Sequence, residues 1–258
     1  PVVGVWGVTA PDEAESVGDD HRSTSRTWIA LIDHLRDVEE SARHFSSLLD
    51  PPGLGEELLE AAFTAARFHD IGKAHTVFQT SCEKTVANPH EEQVAAATLK
   101  PWAKSGGSRR FRHDRRHFRH ELASALALLS DAAVGLEDQP EPELAIYLVG
   151  AHHGRVRAGI RSLPGETPCN GEARSALGIC DGDVLPAVDT PWGTLPSVTL
   201  NLGVTELGSN RDGGKSWTQM ALELRDRPDL GPFRLGFLEA LVRLSDWDAS
   251  AREELPPQ

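Results

Sequence analysis

Between Trp28 and Leu49 the apolar positions Trp28, Leu31, Ile32, Leu35, Val38, Ala42, Phe45 and Leu49 recur every three or four residues. That period predicts an amphipathic helix, closed by Pro51 and Pro52. Leu58, Leu59, Ala62, Phe63 and Ala66 predict a second helix from about Glu56 to Asp70, with Gly72 as its C-terminal stop. Further helices are predicted at 90–104, 118–134, 142–153 and 231–253, the last begun by Pro232 in its first turn. On that last helix Phe233, Phe237, Leu241, Leu244 and Trp247 form the predicted apolar face, which lies nearer Asp248 than Asp246. The segment 155–227 breaks the pattern: it is rich in Gly, Pro, Asp and Thr, and its VTLNLGV stretch alternates as a strand or hairpin does. The predicted fold is mostly α, a helical bundle carrying a loop- and hairpin-containing insertion at 155–227. Residues 1–26, apolar at first and then acidic, read as an N-terminal arm or linker, and 27–258 as the domain.

Composition narrows the class. A chain of 258 residues with 39% hydrophobic residues can bury a sizeable core. It has neither an apolar run of membrane-spanning length nor a basic-then-apolar leader, so a soluble, unexported, cytoplasmic protein with no membrane partner is expected. Cys82, Cys169 and Cys180 contain no CxxC pair, and reduced thiols are expected. Pro1 in place of Met, and the tail LPPQ, fit a piece of a longer polypeptide, at its C-terminal end. The net charge of -13 should repel nucleic acid except where positive charge is concentrated. It is concentrated once: Lys104, Arg109, Arg110, Arg112, Arg115, Arg116 and Arg119 stand against the single acid Asp114.

The residues with chemical potential come in compact units: His69-Asp70 before Ile71-Gly72, His120-Glu121, and His152-His153 before Gly154. Adjacent residues point about 100° apart on a continuous helix, so a doublet converges on one site only where the helix stops. Helix C-termini also favour a bound cation. Imidazole with carboxylate suits Mn, Fe, Co, Ni or Zn, and an Asp between imidazoles can bridge two ions. His75, His113 and His117 are further candidates, more simply read as solvated or phosphate-binding histidines. GSNRDGGKS at 208–216 approaches a phosphate-binding loop but has one residue too many, so no ATPase site is expected.

HLRDV around His34, HDIGK at 69–73, RHEL at 119–122, AHHG at 151–154 and SDWDAS at 245–250 stand in this order along the chain. The set resembles the HD superfamily of metal-dependent phosphohydrolases, and more closely the HD nuclease domain of the type I CRISPR helicase-nuclease, over residues 28–251. The resemblance implies an HD-domain helical bundle with two divalent transition-metal ions. His34, His69, Asp70 and Asp246 would surround one, and Asp70, His120, His152 and His153 the other, with Asp70 as the bridge. Lys73 would neutralise charge on the phosphate. The family element favours Asp246 as ligand and the apolar period favours Asp248. The implied activity is cleavage of single-stranded DNA, with a helicase domain and an RNA-guided surveillance complex as partners. Arg109, Arg110, Arg112, Arg115, Arg116 and Arg119 would contact phosphates, with Phe111 and Phe118 stacking on bases. Two alternatives stay open: a phosphohydrolase acting on nucleotides or cyclic nucleotides, and a catalytically inactive, metal-stabilised binding module.

Overall fold

The computed structural model describes residues 24–49, 53–130, 136, 138–169, 173–206 and 214–254. Thr24 and Ser25 already pair with Ser105, while the rest of the arm up to residue 23 and most of GSNRDGGKS lie outside the described residues.

A short strand β1 (Ile29–Ala30) leads into α1 (Leu31–Leu49), whose Leu31, Leu35, Val38 and Ala42 are fully buried. His34 lies on that same stripe, so helical periodicity alone drives an imidazole into the core. Helix α2 (Glu56–Phe68) is rich in alanine and buried along most of its length, which lets it pack closely against α1. After it come a 3-10 turn (Ile71–Ala74), α3 (Thr76–Lys84) and α4 (Pro89–Ala97), the last begun by an Asn88 cap and a first-turn proline.

The helix expected at 90–104 stops at Ala97, and its remainder forms β2 (Trp102–Lys104), antiparallel to β1. Pro101 explains the break, since it has no amide hydrogen to continue the helical ladder. All nine residues of α5 (His120–Leu128) are buried, making it the central helix of the bundle. Helix α6 (Pro142–Ala151) packs on α2 and α5.

The insertion holds short antiparallel pairs: β3 (Ser175–Ala176) with β4 (Ile179–Cys180), β5 (Val184–Leu185) with β8 (Val198–Thr199), and β6 (Val188–Thr190) with β7 (Gly193–Leu195). Only the first two residues of VTLNLGV form strand, and Leu202–Thr205 closes into a 3-10 turn. Gly178 touches down on the chain just before α5: a side-chain carbon there would lie 2.5 Å from Phe118 Cα. Cys169 and Cys180, expected as reduced thiols, are joined by a disulfide with Cα atoms 5.8 Å apart. The hairpin fold brings together cysteines whose spacing carries no pairing signal. The insertion is also shorter than expected, because α7 (Trp217–Asp226) belongs to the helical frame and anchors through fully buried Trp217.

Helix α8 (Gly231–Glu253) crosses α1 and α2 and presents a different face from the expected one. Phe233, Leu244 and Trp247 are 91%, 43% and 40% exposed, while Leu235, Leu238, Val242, Ser245, Asp246 and Ala249 face inward. Polar residues on the inner face are accommodated because they find partners: Glu239 accepts from the Tyr147 hydroxyl of α6 at 2.8 Å, and Ser245 donates to the Leu241 carbonyl at 2.7 Å.

Candidate metal centre

Five helix-borne segments converge at the middle of the bundle. Helix α2 ends at Phe68, and the backbone leaves the helical path at Asp70 (φ -109°, ψ 6°) to enter the 3-10 turn. That bend lets adjacent side chains point the same way: His69 Nε2 lies 3.3 Å from Asp70 Oδ2. The helix ends before Gly72 as expected, but Gly72 is not left-handed. Its role is close approach, since a Cβ would sit 2.1 Å from the His120 carbonyl oxygen, and its amide donates to Ser124 Oγ at 2.8 Å. The HDIGK turn is thereby pressed against the start of α5. Gly154 is left-handed (φ 74°), turning the chain after His152-His153.

The ring nitrogens show what the centre can accept. His69 Nδ1 donates to the Ala66 carbonyl at 2.9 Å, and His152 Nδ1 to the Val149 carbonyl at 2.6 Å. His34 Nδ1 donates to Glu253 Oε1 at 2.7 Å. A carbonyl or carboxylate can only accept, so the three Nδ1 atoms carry hydrogens and the three Nε2 atoms point inward, where Nε2 of a neutral ring is a lone pair. Those three Nε2 atoms are buried without a hydrogen bond. Buried acceptors facing one point are the arrangement a cation satisfies, and the outer hydrogen bonds fix each ring as metal-ligating histidines are fixed.

Two groups of donors meet this description. His34, His69, Asp70 and Asp246 form one, and Asp70, His120, His152 and His153 the other, with the donor atoms of each group all within 4.8 Å of one another. Asp70 belongs to both. Its Oδ2 lies 3.1 Å from His34 Nε2 and its Oδ1 3.0 Å from His120 Nε2. His120 and His153 meet Nε2 to Nε2 at 3.0 Å. Asp246 Oδ1 is 3.4 Å from His34 Nε2, whereas Asp248 faces away and accepts from Ser41 Oγ at 2.8 Å. Helix α8 thus places Asp246 in the centre, and the apolar period misled because its true buried face is the polar-containing one. His120 opens α5 rather than closing a helix, so the dipole of its own helix does not favour a cation there.

Electrostatics follow from burial and company. Burial pushes His152 down to about 3 and His153 well below the ordinary imidazole range, so both are neutral near pH 7. Burial would also lower His34, but Glu253, Asp246 and Asp70 outweigh it and raise the ring to about 10. Burial would raise the Asp70 carboxyl, yet His69, Lys73 and His120 hold it well below the usual range.

Lys73 is turned inward, its Nζ 2.6 Å from Asp70 Oδ2. Glu121 is fully buried but stands outside both donor groups, its Oε2 3.9 Å from His120 Nδ1, too far for a hydrogen bond. His75 accepts from the Val77 amide at 3.2 Å and lies 3.5 Å from Asp183, and His113 meets Ser81 Oγ at 2.9 Å. His117 adopts a positive φ of 65° in the turn before α5. None of these three joins either donor group.

The basic tract divides. Arg109, Arg110 and Arg112 are exposed. Arg115 pairs with Asp183 of the insertion, and Arg116 and Arg119 also make contacts within the chain. Phe111 and Phe118 are 2% and 5% exposed, which corrects the expectation that they stack on bases: they pack around His113 instead.

Sequence reasoning missed Glu253 and Lys104. Lys104, counted in the basic tract, is 2% exposed and pairs with Glu253 Oε2 at 2.8 Å, behind His34. No local spacing could reveal this link, because Glu253 and His34 are 219 residues apart. A family model described as Cas3, HD domain, matches residues 17–254. No curated protein and no solved structure matches the chain.

Proposed function

This chain belongs to the Cas3 HD-domain family, metal-dependent nucleases of CRISPR defence, and from that premise we propose that it hydrolyses phosphodiester bonds in single-stranded DNA at a centre for two divalent transition-metal ions. The observation that carries the reading is the pair of donor groups sharing Asp70, with histidine lone pairs turned inward and unpartnered. His34, His69, Asp70 and Asp246 would hold one ion, and Asp70, His120, His152 and His153 the other. Such ions, when bound, neutralise the scissile phosphate, acidify water and stabilise the leaving oxygen.

The protein's own contribution is orientation. The Ala66 and Val149 carbonyls and Glu253 fix the rings of His69, His152 and His34, and the Gly72 contact holds the first doublet against α5. Lys73 serves as counter-ion to Asp70 and would be free to neutralise a phosphate if Asp70 held a metal instead. Arg109, Arg110 and Arg112 offer phosphate contacts on the open surface, with Arg115, Arg116 and Arg119 behind them at the insertion. A helicase domain would deliver the strand, in concert with an RNA-guided surveillance complex, in the cytoplasm.

The test is cleavage of circular single-stranded DNA by metal-stripped protein supplied separately with Mn, Co, Ni, Zn and Mg, beside Asp70→Ala. Metal-dependent cutting that is lost in Asp70→Ala is the expected result. Folded, metal-loaded protein that leaves the circle intact with every metal would remove the nuclease reading.

A further inference from the structure

A second cationic surface borders the centre, away from the 104–120 tract. A cleft of about 410 Å³ opens between α6, α7 and α8, with His152 in its wall. Arg157, Arg225 and Arg243 line it, and Glu239 is the one acid among the lining residues. On a chain of net charge -13 this group of guanidiniums, although each makes contacts within the chain, is a local concentration of positive charge suited to an anionic occupant.

Two of the arginines converge on the metal-centre side. The point that a Gly154 side-chain carbon would occupy lies 3.3 Å from one Arg243 terminal nitrogen and 3.8 Å from one of Arg157, a single residue after His153. Arg157 is partly answered by Glu239 at 2.8 Å, and Glu239 also accepts from the Tyr147 hydroxyl at 2.8 Å. Arg225 is engaged by Asp226 through two contacts of 2.7 and 2.8 Å and offers less charge to a ligand.

The Arg243 guanidinium lies 4.9 Å over the Trp247 ring, and that indole, 40% exposed, is the neighbour in sequence of Asp246. A guanidinium pair and an exposed aromatic platform therefore flank both segments that bring ligands from this side, 152–154 and 246. Alternating anion and base face is the chemistry of a single-stranded nucleic acid, whereas a duplex hides its base faces. The 104–120 tract lacks the aromatic half of this pattern, because Phe111 and Phe118 are buried.

We infer that this cleft carries the strand to be cut, Arg157 and Arg243 holding its phosphates and Trp247 stacking a base beside the metal centre. The inference rests on the nuclease reading above and adds the strand's path.

The experiment is fluorescence anisotropy of a labelled oligothymidylate with the metal-stripped chain, so that binding is read without cleavage. Arg157→Gln/Arg243→Gln should weaken binding about tenfold or more and reduce the logarithmic salt slope by about 1.4, two phosphates at about 0.7 each. Trp247→Leu should weaken binding at least about fivefold and leave the slope unchanged. Wild-type affinity and slope in the double variant, shown folded by its melting curve, overturn the inference. If the double variant does not fold, Arg243→Lys and Trp247→Leu carry the test: a fivefold loss in either supports the path, and wild-type binding in both refutes it. Loss of the slope only in Arg109→Gln/Arg110→Gln/Arg112→Gln also refutes it. Cleavage by the wild type with unaltered binding in the cleft variants sinks this path alone, whereas oligonucleotide binding without metal-dependent cleavage sinks the nuclease reading.

Discussion

Glu253→Gln separates the architecture of the centre from its affinity for metal. Glu253 holds His34 Nδ1 at 2.7 Å with one oxygen and Lys104 Nζ at 2.8 Å with the other, and the two partner side chains are 0% and 2% exposed. Gln keeps the shape and one acceptor but removes the charge. Lys104 is then left as a buried ammonium without a counter-ion, a loss of about 3 to 5 kcal/mol. For a chain of this size that corresponds to a fall in Tm of about 6 to 20 °C. Separately, His34 loses the carboxylate that fixes its ring, which should cost about 10- to 100-fold in metal affinity. The two effects come apart in Lys104→Met/Glu253→Gln, which removes the stranded charge. That double variant should recover most of the lost Tm in chelator and none of the lost affinity, measured by competitive Mn titration. Lys104→Met alone should bind metal as the wild type does. Wild-type metal affinity in Glu253→Gln, or recovery of affinity together with Tm in the double variant, would show that Glu253 only supports packing and would refute the reasoning.

Asp246→Asn should lose metal from the His34 group while Asp248→Asn keeps it, because only Asp246 faces His34; metal content after dialysis against Mn decides. Gly72→Ala should unfold or loosen the HDIGK turn, since its added carbon meets the His120 carbonyl at 2.1 Å, and a Tm drop of about 4 °C or more is expected for at least ~2 kcal/mol of overpacking. Burial pushes the Asp183 carboxyl up, but His75, Arg115 and the Cys180 amide outweigh it and hold it well below the usual range. Its stabilisation is therefore present above the unfolded value of about 3.9 and is lost as pH falls through the folded value. Asp183→Asn should thus lower urea stability by about 1 to 2 kcal/mol near pH 7, with the difference closing in acid; a gap that persists at low pH would contradict this account.

The helical frame was legible where burial follows hydrophobicity. Helix α1 matches its apolar period, and His34 is carried inward by that period. It was illegible where polar groups are buried because they find partners: on α8, Ser245 and Asp246 face the core while Phe233 and Trp247 face out. The grouping of the candidate donors was legible because His69-Asp70 and His152-His153 stand at backbone breaks, so local spacing carries part of the geometry. Glu253, Lys104 and the Cys169–Cys180 link were not, since they depend on contacts that no local pattern encodes. Net charge of a tract also said little about its role. Lys104 and Arg115 of the basic tract are spent inside the fold, while Arg157 and Arg243, scattered in sequence, meet over Gly154.

The doublets and their glycines work as one device. A histidine that ends a helix can return its Nδ1 hydrogen to a carbonyl three residues back, as His69 and His152 do. The helix thereby gains a cap for an otherwise unpaired carbonyl, and the ring is left with its acceptor pointing off the helix end. A second ligand follows only if the chain turns at once, which the bend at Asp70 and the left-handed Gly154 provide. Each doublet thus obtains its first ligand's orientation from helix capping and its second ligand's direction from the turn. Asp70, standing at such a bend beside α5, is the one carboxylate among the described residues that belongs to both donor groups, so losing it should disable both while losing Asp246 disables one.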